Sequence, residues 1–178
     1  MFKVGSLAIA ALLATTGAAQ AVTYNYAGNT TGAPTYNRAF ADFSGLSAFG
    51  ANVNHQTLAF SVSTSGSYTF VSTVTGAWDN FLFLYGPSFN PAAPLINGLI
   101  GNDDLAGVIG SSGFTFALTA GASYVAVTTG FEGGVDFGAY ANSITGPGAV
   151  NVVPEPGTYG LMALGLAIVG FAARRTRA

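Results

Sequence analysis

Through the middle of the chain, apolar positions recur at every second residue. Leu58, Phe60 and Val62 alternate with Thr57, Ser61 and Ser63, and Tyr68, Phe70 and Val74 repeat the pattern over 68–75. Phe114, Phe116 and Leu118 alternate with Thr115, Ala117 and Thr119, and Tyr124, Ala126 and Thr128 oppose Val125 and Val127. Period-two alternation is the mark of strands with one buried face. The run 80–85 is almost wholly apolar, which predicts a central strand covered on both sides. Residues 22–27 predict a first strand. Residues 135–144 predict a last one, with Phe137 and Tyr140 as core. Ser65-Gly66 and Ala120-Gly121 are turn signals. Residues 87–94 predict a surface loop, and 28–54, rich in Gly, Asn, Ala and Ser, a long loop with one short strand. No segment of useful length between 22 and 153 has helical period. The prediction is an all-β fold, a single antiparallel jelly-roll-like β-sandwich.

The two ends follow other rules. Met1-Phe2-Lys3 leads into an apolar run over 4–14 and then Ala19-Gln20-Ala21. A basic start, an apolar stretch and a small-x-small exit make a signal peptide, with Ala19 and Ala21 as the signal-peptidase site and cleavage after Ala21. At the other end, Pro154-Glu155-Pro156-Gly157 precedes an uncharged apolar stretch over 158–173, closed by Arg174, Arg175 and Arg177. A helix of about 17 residues is ~25 Å long, close to the ~30 Å core of a bilayer. The arginines are a topology signal that holds the C-terminus in the cytoplasm. Pro154 and Pro156 cannot join a helix interior, so the segment before the membrane is extended and open to a protease. The predicted organisation is a signal helix at 1–21, the sandwich at 22–145, a linker at 146–153 and a sorting tail at 154–178, with a transmembrane helix over about 158–173.

The three ordered parts of this tail, Pro-Glu-Pro, apolar helix and basic end, resemble the PEP-CTERM sorting signal. The resemblance implies processing by exosortase, an integral-membrane protease with a cysteine nucleophile, near Pro154-Glu155-Pro156. It implies export with the help of signal peptidase, a transient inner-membrane anchor, and then the cell surface or extracellular matrix of a bacterium that makes extracellular polysaccharide. The same tail also carries the label of an ice-binding protein C-terminal domain, a name that describes the tail and is no evidence of ice binding. A second resemblance covers roughly 56–144. Gly66-Ser67-Tyr68-Thr69-Phe70, Asp79 to Tyr85, Asn102-Asp103-Asp104 and Leu118 to Val127 follow the order of bacterial pre-peptidase C-terminal domains. Those are secreted jelly-roll sandwiches, which implies a binding or solubilising role.

Charge and composition narrow the function. Of five basic residues, only Arg38 lies between the terminal segments, against six acids: Asp42, Asp79, Asp103, Asp104, Glu132 and Asp136. Without a basic patch, nucleic acid is not an expected partner. With no cysteine, disulfides and thiolate metal sites are excluded. His55 is the single histidine, and no Gly-x-Ser-x-Gly elbow accompanies it, so no catalytic triad is expected. His55 itself is expected in an exposed loop before a strand. Asp79, Asp103, Asp104 and Asp136 are hard oxygen ligands in turn contexts and form the candidate site for Ca²⁺. The alternative reading makes them turn-capping residues. Trp78 is the candidate residue for stacking on a sugar ring. Ice binding would call for a flat, regular Thr ladder, and the threonines show no fixed repeat along the chain.

These features predict a non-catalytic binding or structural protein of the surface or matrix, with extracellular polysaccharide as its candidate partner. The alternatives are a secreted hydrolase and a calcium-dependent carbohydrate-binding module.

Overall fold

The computed structural model describes residues 20–153. The signal peptide up to Ala19 and the tail from Pro154 onward, with their expected helices, lie outside the described residues. Ten strands form two antiparallel sheets. The first sheet holds β1 (Val22–Asn29), β9 (Ala139–Gly146), β4 (Gly66–Thr75) and β7 (Ser111–Leu118), in that order. The second runs β10 (Val150–Val152), β3 (Val53–Val62), β8 (Tyr124–Gly130), β5 (Asn80–Tyr85) and β6 (Gly98–Asn102), and β2 (Thr35–Tyr36) also pairs with β3. Most connections cross from one sheet to the other, the winding expected of a jelly-roll-like sandwich. Among the described residues there is no α-helix.

The alternation seen along the chain becomes the inter-sheet core. Phe60, Val62, Tyr68, Phe70, Leu82, Leu84, Phe114, Leu118 and Ile144 are buried there together. β5 is buried along its whole length, as its apolar run predicts. Leu82 and Leu84 face the partner sheet, while Phe81, Phe83 and Tyr85 face the other way. That second face is covered by the segment that links β2 to β3. Tyr36, Ala39 and Val53 are buried on it, with Phe43, Phe89 and Phe131 packed alongside. The molecule therefore has a second core outside the sandwich.

Several expectations are corrected. Phe137 is 39% exposed, because the last long strand begins only at Ala139. Residues 146–153 are more than a linker: β10 lies within them and pairs with β3 from Val150↔Val62 to Val152↔Phe60. β6, short and glycine-bearing, escaped the pattern because Gly98 and Gly101 interrupt its alternation. At Gly101 a side chain would collide with the Phe83 ring. A thread of register also emerges that linear spacing hides. Thr23, Thr145, Thr69 and Thr115 stand opposite one another across all four strands of the first sheet. Thr23 bonds Thr145, and Thr69 bonds Thr115, hydroxyl to hydroxyl at 2.9 Å. It is a single row rather than a ladder.

Candidate functional site

Three of the four candidate metal ligands meet. Asp79 immediately precedes β5, and Asp103 and Asp104 follow β6, the strand hydrogen-bonded to it. Strand pairing thus brings the two ends side by side. One carboxylate oxygen from each of the three lies within 4.8 Å of the others. Each of these side chains also has a buried Oδ1 with no hydrogen-bond partner. Buried acceptors are nearly always partnered, so three unsatisfied carboxylate oxygens in one place are unusual.

The electrostatics follow from that crowding. Burial raises the Asp103 carboxyl to about 6, and the neighbouring Asp79 and Asp104 charges push the same way. Asp79 is also raised, chiefly by burial, then by Asp104 and Asp136. Arg38 pulls both in the opposite direction. A divalent cation would relieve the repulsion, and an all-oxygen donor set suits Ca²⁺. The fourth candidate, Asp136, has other work. Its Oδ1 accepts the Asp79 N–H and its Oδ2 accepts the Glu132 N–H, both at 2.9 Å. It straps the loop before β9 to the start of β5, the capping role that short acids take in turns.

Trp78 does not present its ring to a ligand. It is 7% exposed, donates from Nε1 to the Ala139 carbonyl at 3.3 Å and lies against Gly138, where a side chain would strike the indole. His55 is corrected too. It lies inside β3, 8% exposed, edge-on to the Tyr36 and Phe89 rings at 4.8 and 5.4 Å. Its Nδ1 has no partner, so no serine hydroxyl is poised on that nitrogen.

Arg38 has a structural part that its sequence context does not announce. The side chain is 2% exposed, with its guanidinium carbon 4.3 Å from the Phe81 ring centroid and 5.0 Å from that of Phe131. It donates to the carbonyls of Ala39 and Phe131 and to Ser47 Oγ. A buried guanidinium is tolerable because aromatic faces, carbonyls and nearby carboxylates replace its water. The available signal was its isolation as the lone base amid six acids.

The strand that closes the second sheet, β10, runs into residues of the tail. Residues 152–177 match the family model for the PEP-CTERM protein-sorting motif. The tail is a PEP-CTERM sorting motif. The motif implies an exported protein sorted by exosortase, anchored transiently in the membrane by its C-terminal tail and then placed at the cell surface. No match is found among curated proteins. Similar solved structures include a CBM35 from Cellvibrio japonicus Abf62, at 12% identity over 76% of this chain and 99% of that one, TM-score 0.39. The K3 cleaved adhesin domain of Lys-gingipain from Porphyromonas gingivalis W83 is 18% identical over 67% and 73%, TM-score 0.33. The Yersinia pseudotuberculosis-derived mitogen is 12% identical over 72% and 86%, TM-score 0.37.

Proposed function

We propose that the mature protein is a non-catalytic binding or structural unit of the outer surface or extracellular matrix, associated with extracellular polysaccharide. The observation that carries this reading is the joining of a PEP-CTERM motif at residue 152 to the edge strand of a β-sandwich. The sandwich is what the sorting machinery delivers. β1 opens at Val22, next to the expected signal-peptidase cut after Ala21, so that cut would leave the first strand whole. The non-catalytic reading is supported by the packing of His55 among aromatic rings and by the tie of Asp136 to backbone amides. The Asp79–Asp103–Asp104 cluster takes Ca²⁺, which pins the ends of β5 and β6 together; its three unpartnered buried oxygens favour this.

The test is the intact mass and the location of the protein in its native host, with and without exosortase. The expected product lacks both terminal segments, ends near Pro154-Glu155-Pro156 and fractionates with the extracellular polysaccharide. A product that keeps Arg174, Arg175 and Arg177 in the exosortase-positive host, or that is absent from the matrix fraction, overturns the reading.

A further inference from the structure

On the side of the sandwich where β1 and β3 are neighbours across the gap between the sheets lies a second, uncharged feature. It is a cleft of about 550 Å³, open to solvent, lined by Tyr26, Ala33, His55, Gln56, Leu58 and Tyr140 among others. That volume is in the range of sites for small organic ligands. None of its lining residues carries a charge at neutral pH. Burial lowers the His55 imidazole, and burial raises the phenols of Tyr26 and Tyr140.

The polar groups of the cleft are held in place before any ligand arrives. Gln56 Oε1 accepts the Tyr140 hydroxyl at 3.0 Å and the Asn29 N–H at 3.1 Å. Two donors on one atom fix which end of the amide is oxygen. They leave Nε2, with its two N–H groups, bonded to no other described residue. Gly28 makes this arrangement possible: a side chain there would collide with Gln56 Oε1 and the Tyr140 hydroxyl. His55, more than nine-tenths buried in the wall, has an Nδ1 without a hydrogen-bond partner among the described residues. The aromatic wall is composite. Tyr26 meets Tyr140 edge-on at 6.5 Å and stacks on Tyr24 at 6.0 Å.

We infer that this cleft binds a neutral glycan, whose hydroxyls pair with the Gln56 amide while an apolar ring face packs on the half-buried Tyr26, with Tyr140 beneath holding the amide in place. The inference rests on the surface-and-matrix reading and gives it a seat. Fixed amide donors, aromatic faces and no net charge favour a hydroxyl-rich uncharged ligand over a uronate or a phosphate, which would call for basic groups. The open mouth suits a chain more than a single enclosed sugar.

The test is calorimetric titration of the processed protein, purified from its host, with dextran, cello-oligosaccharides and mannan, and with alginate as the acidic control. Gln56→Leu removes the donors. Ala33→Trp, in the loop between β1 and β2, blocks the mouth without touching a strand. The expected result is saturable binding of at least one neutral glycan. Gln56→Leu should weaken it tenfold or more, and Ala33→Trp should abolish it with the melting temperature unchanged. Failure of every neutral glycan to bind, binding that survives both variants, or preference for alginate overturns the inference. Matrix fractionation of the same variants separates the two claims. If the wild-type protein stays in the matrix but binds no glycan here, the cleft fails and the surface reading stands. If the wild-type protein is not in the matrix, the surface reading itself fails.

Discussion

The two cores of this molecule are built on opposite principles. Between the sheets, strands from distant parts of the chain contribute one apolar residue in two, and Phe60, Phe70, Leu84 and Ile144 fill the gap. On the outer face of β5 the covering layer is an irregular segment, held by aromatic rings and by one buried cation, Arg38, between Phe81 and Phe131. The first core is redundant, with many residues sharing the load. The second turns on a single charged side chain whose bonds run to backbone carbonyls. The lesson is that a strand buried on both faces need not lie between two sheets; a well-anchored loop is enough.

The sharpest way to break this contrast is Phe70→Ala, a large truncation at the centre of the sandwich. It should cost about 3–5 kcal/mol and lower the denaturant midpoint of the whole domain. Arg38→Ala comes next, at about 3 kcal/mol, since it removes a buried side chain packed on Phe81 and Phe131 and leaves the Ala39 and Phe131 carbonyls without their donor. Its effect should be local. Hydrogen exchange should accelerate over residues 37–52 while β4 and β9 keep their protection. Uniform loss of protection in both sheets would show that the two cores form one cooperative unit.

Calcium should act on a third part, the junction of β5 and β6. A tenfold excess over the dissociation constant should stabilise the domain by about 1.4 kcal/mol, or several degrees in melting temperature. Asp103→Asn should remove that response and leave the calcium-free protein at least as stable as the parent. A calcium response that persists in Asp103→Asn would place the ion elsewhere.

The smallest effect is a pH slope. Burial depresses the His55 pKa in the folded state. Its contribution is therefore complete above the ordinary imidazole value near 6.5 and is lost as pH falls through the lowered folded value. Asp103 acts in the opposite sense: its raised pKa makes its contribution fade as pH rises through about 6. Melting temperatures of the parent and of His55→Leu between pH 7.5 and 5 separate the two. The variant should lose less stability on acidification than the parent does.

What could be read from the chain was whatever repeats at a short, fixed spacing. Alternation at Tyr68 and Phe70, or at Phe114, Phe116 and Leu118, encodes its own burial, and the PEP-CTERM tail encodes its own order. Arg38 was legible only as an oddity of composition, because its partners Phe81 and Phe131 are separated from it by the whole middle of the fold. The row Thr23, Thr145, Thr69 and Thr115 exists only in cross-strand register. The metal candidates were half legible: oxygen chemistry picked out the four aspartates, but only strand pairing parts Asp136 from the other three. His55 and Trp78 were misplaced for a related reason. Their contacts with Tyr36 and Phe89, or with Gly138, come from distant parts of the chain and hold them inside. The Gln56 cleft left no local trace, since Gly28, Gln56 and Tyr140 converge from three strands.

The overlap of β10 with the start of the PEP-CTERM motif has a consequence for leash length. Val152 is both the last ladder residue of the sandwich and the first residue of the motif, and Val153 donates to the Ala59 carbonyl at 2.8 Å. A flexible spacer of n residues lets a domain roam over roughly 5–6 Å × √n; here the spacer is essentially nil. Whatever holds the chain at that point holds the sandwich by one edge and at close quarters. A pull on the tail is then felt first by the few hydrogen bonds between β10 and β3.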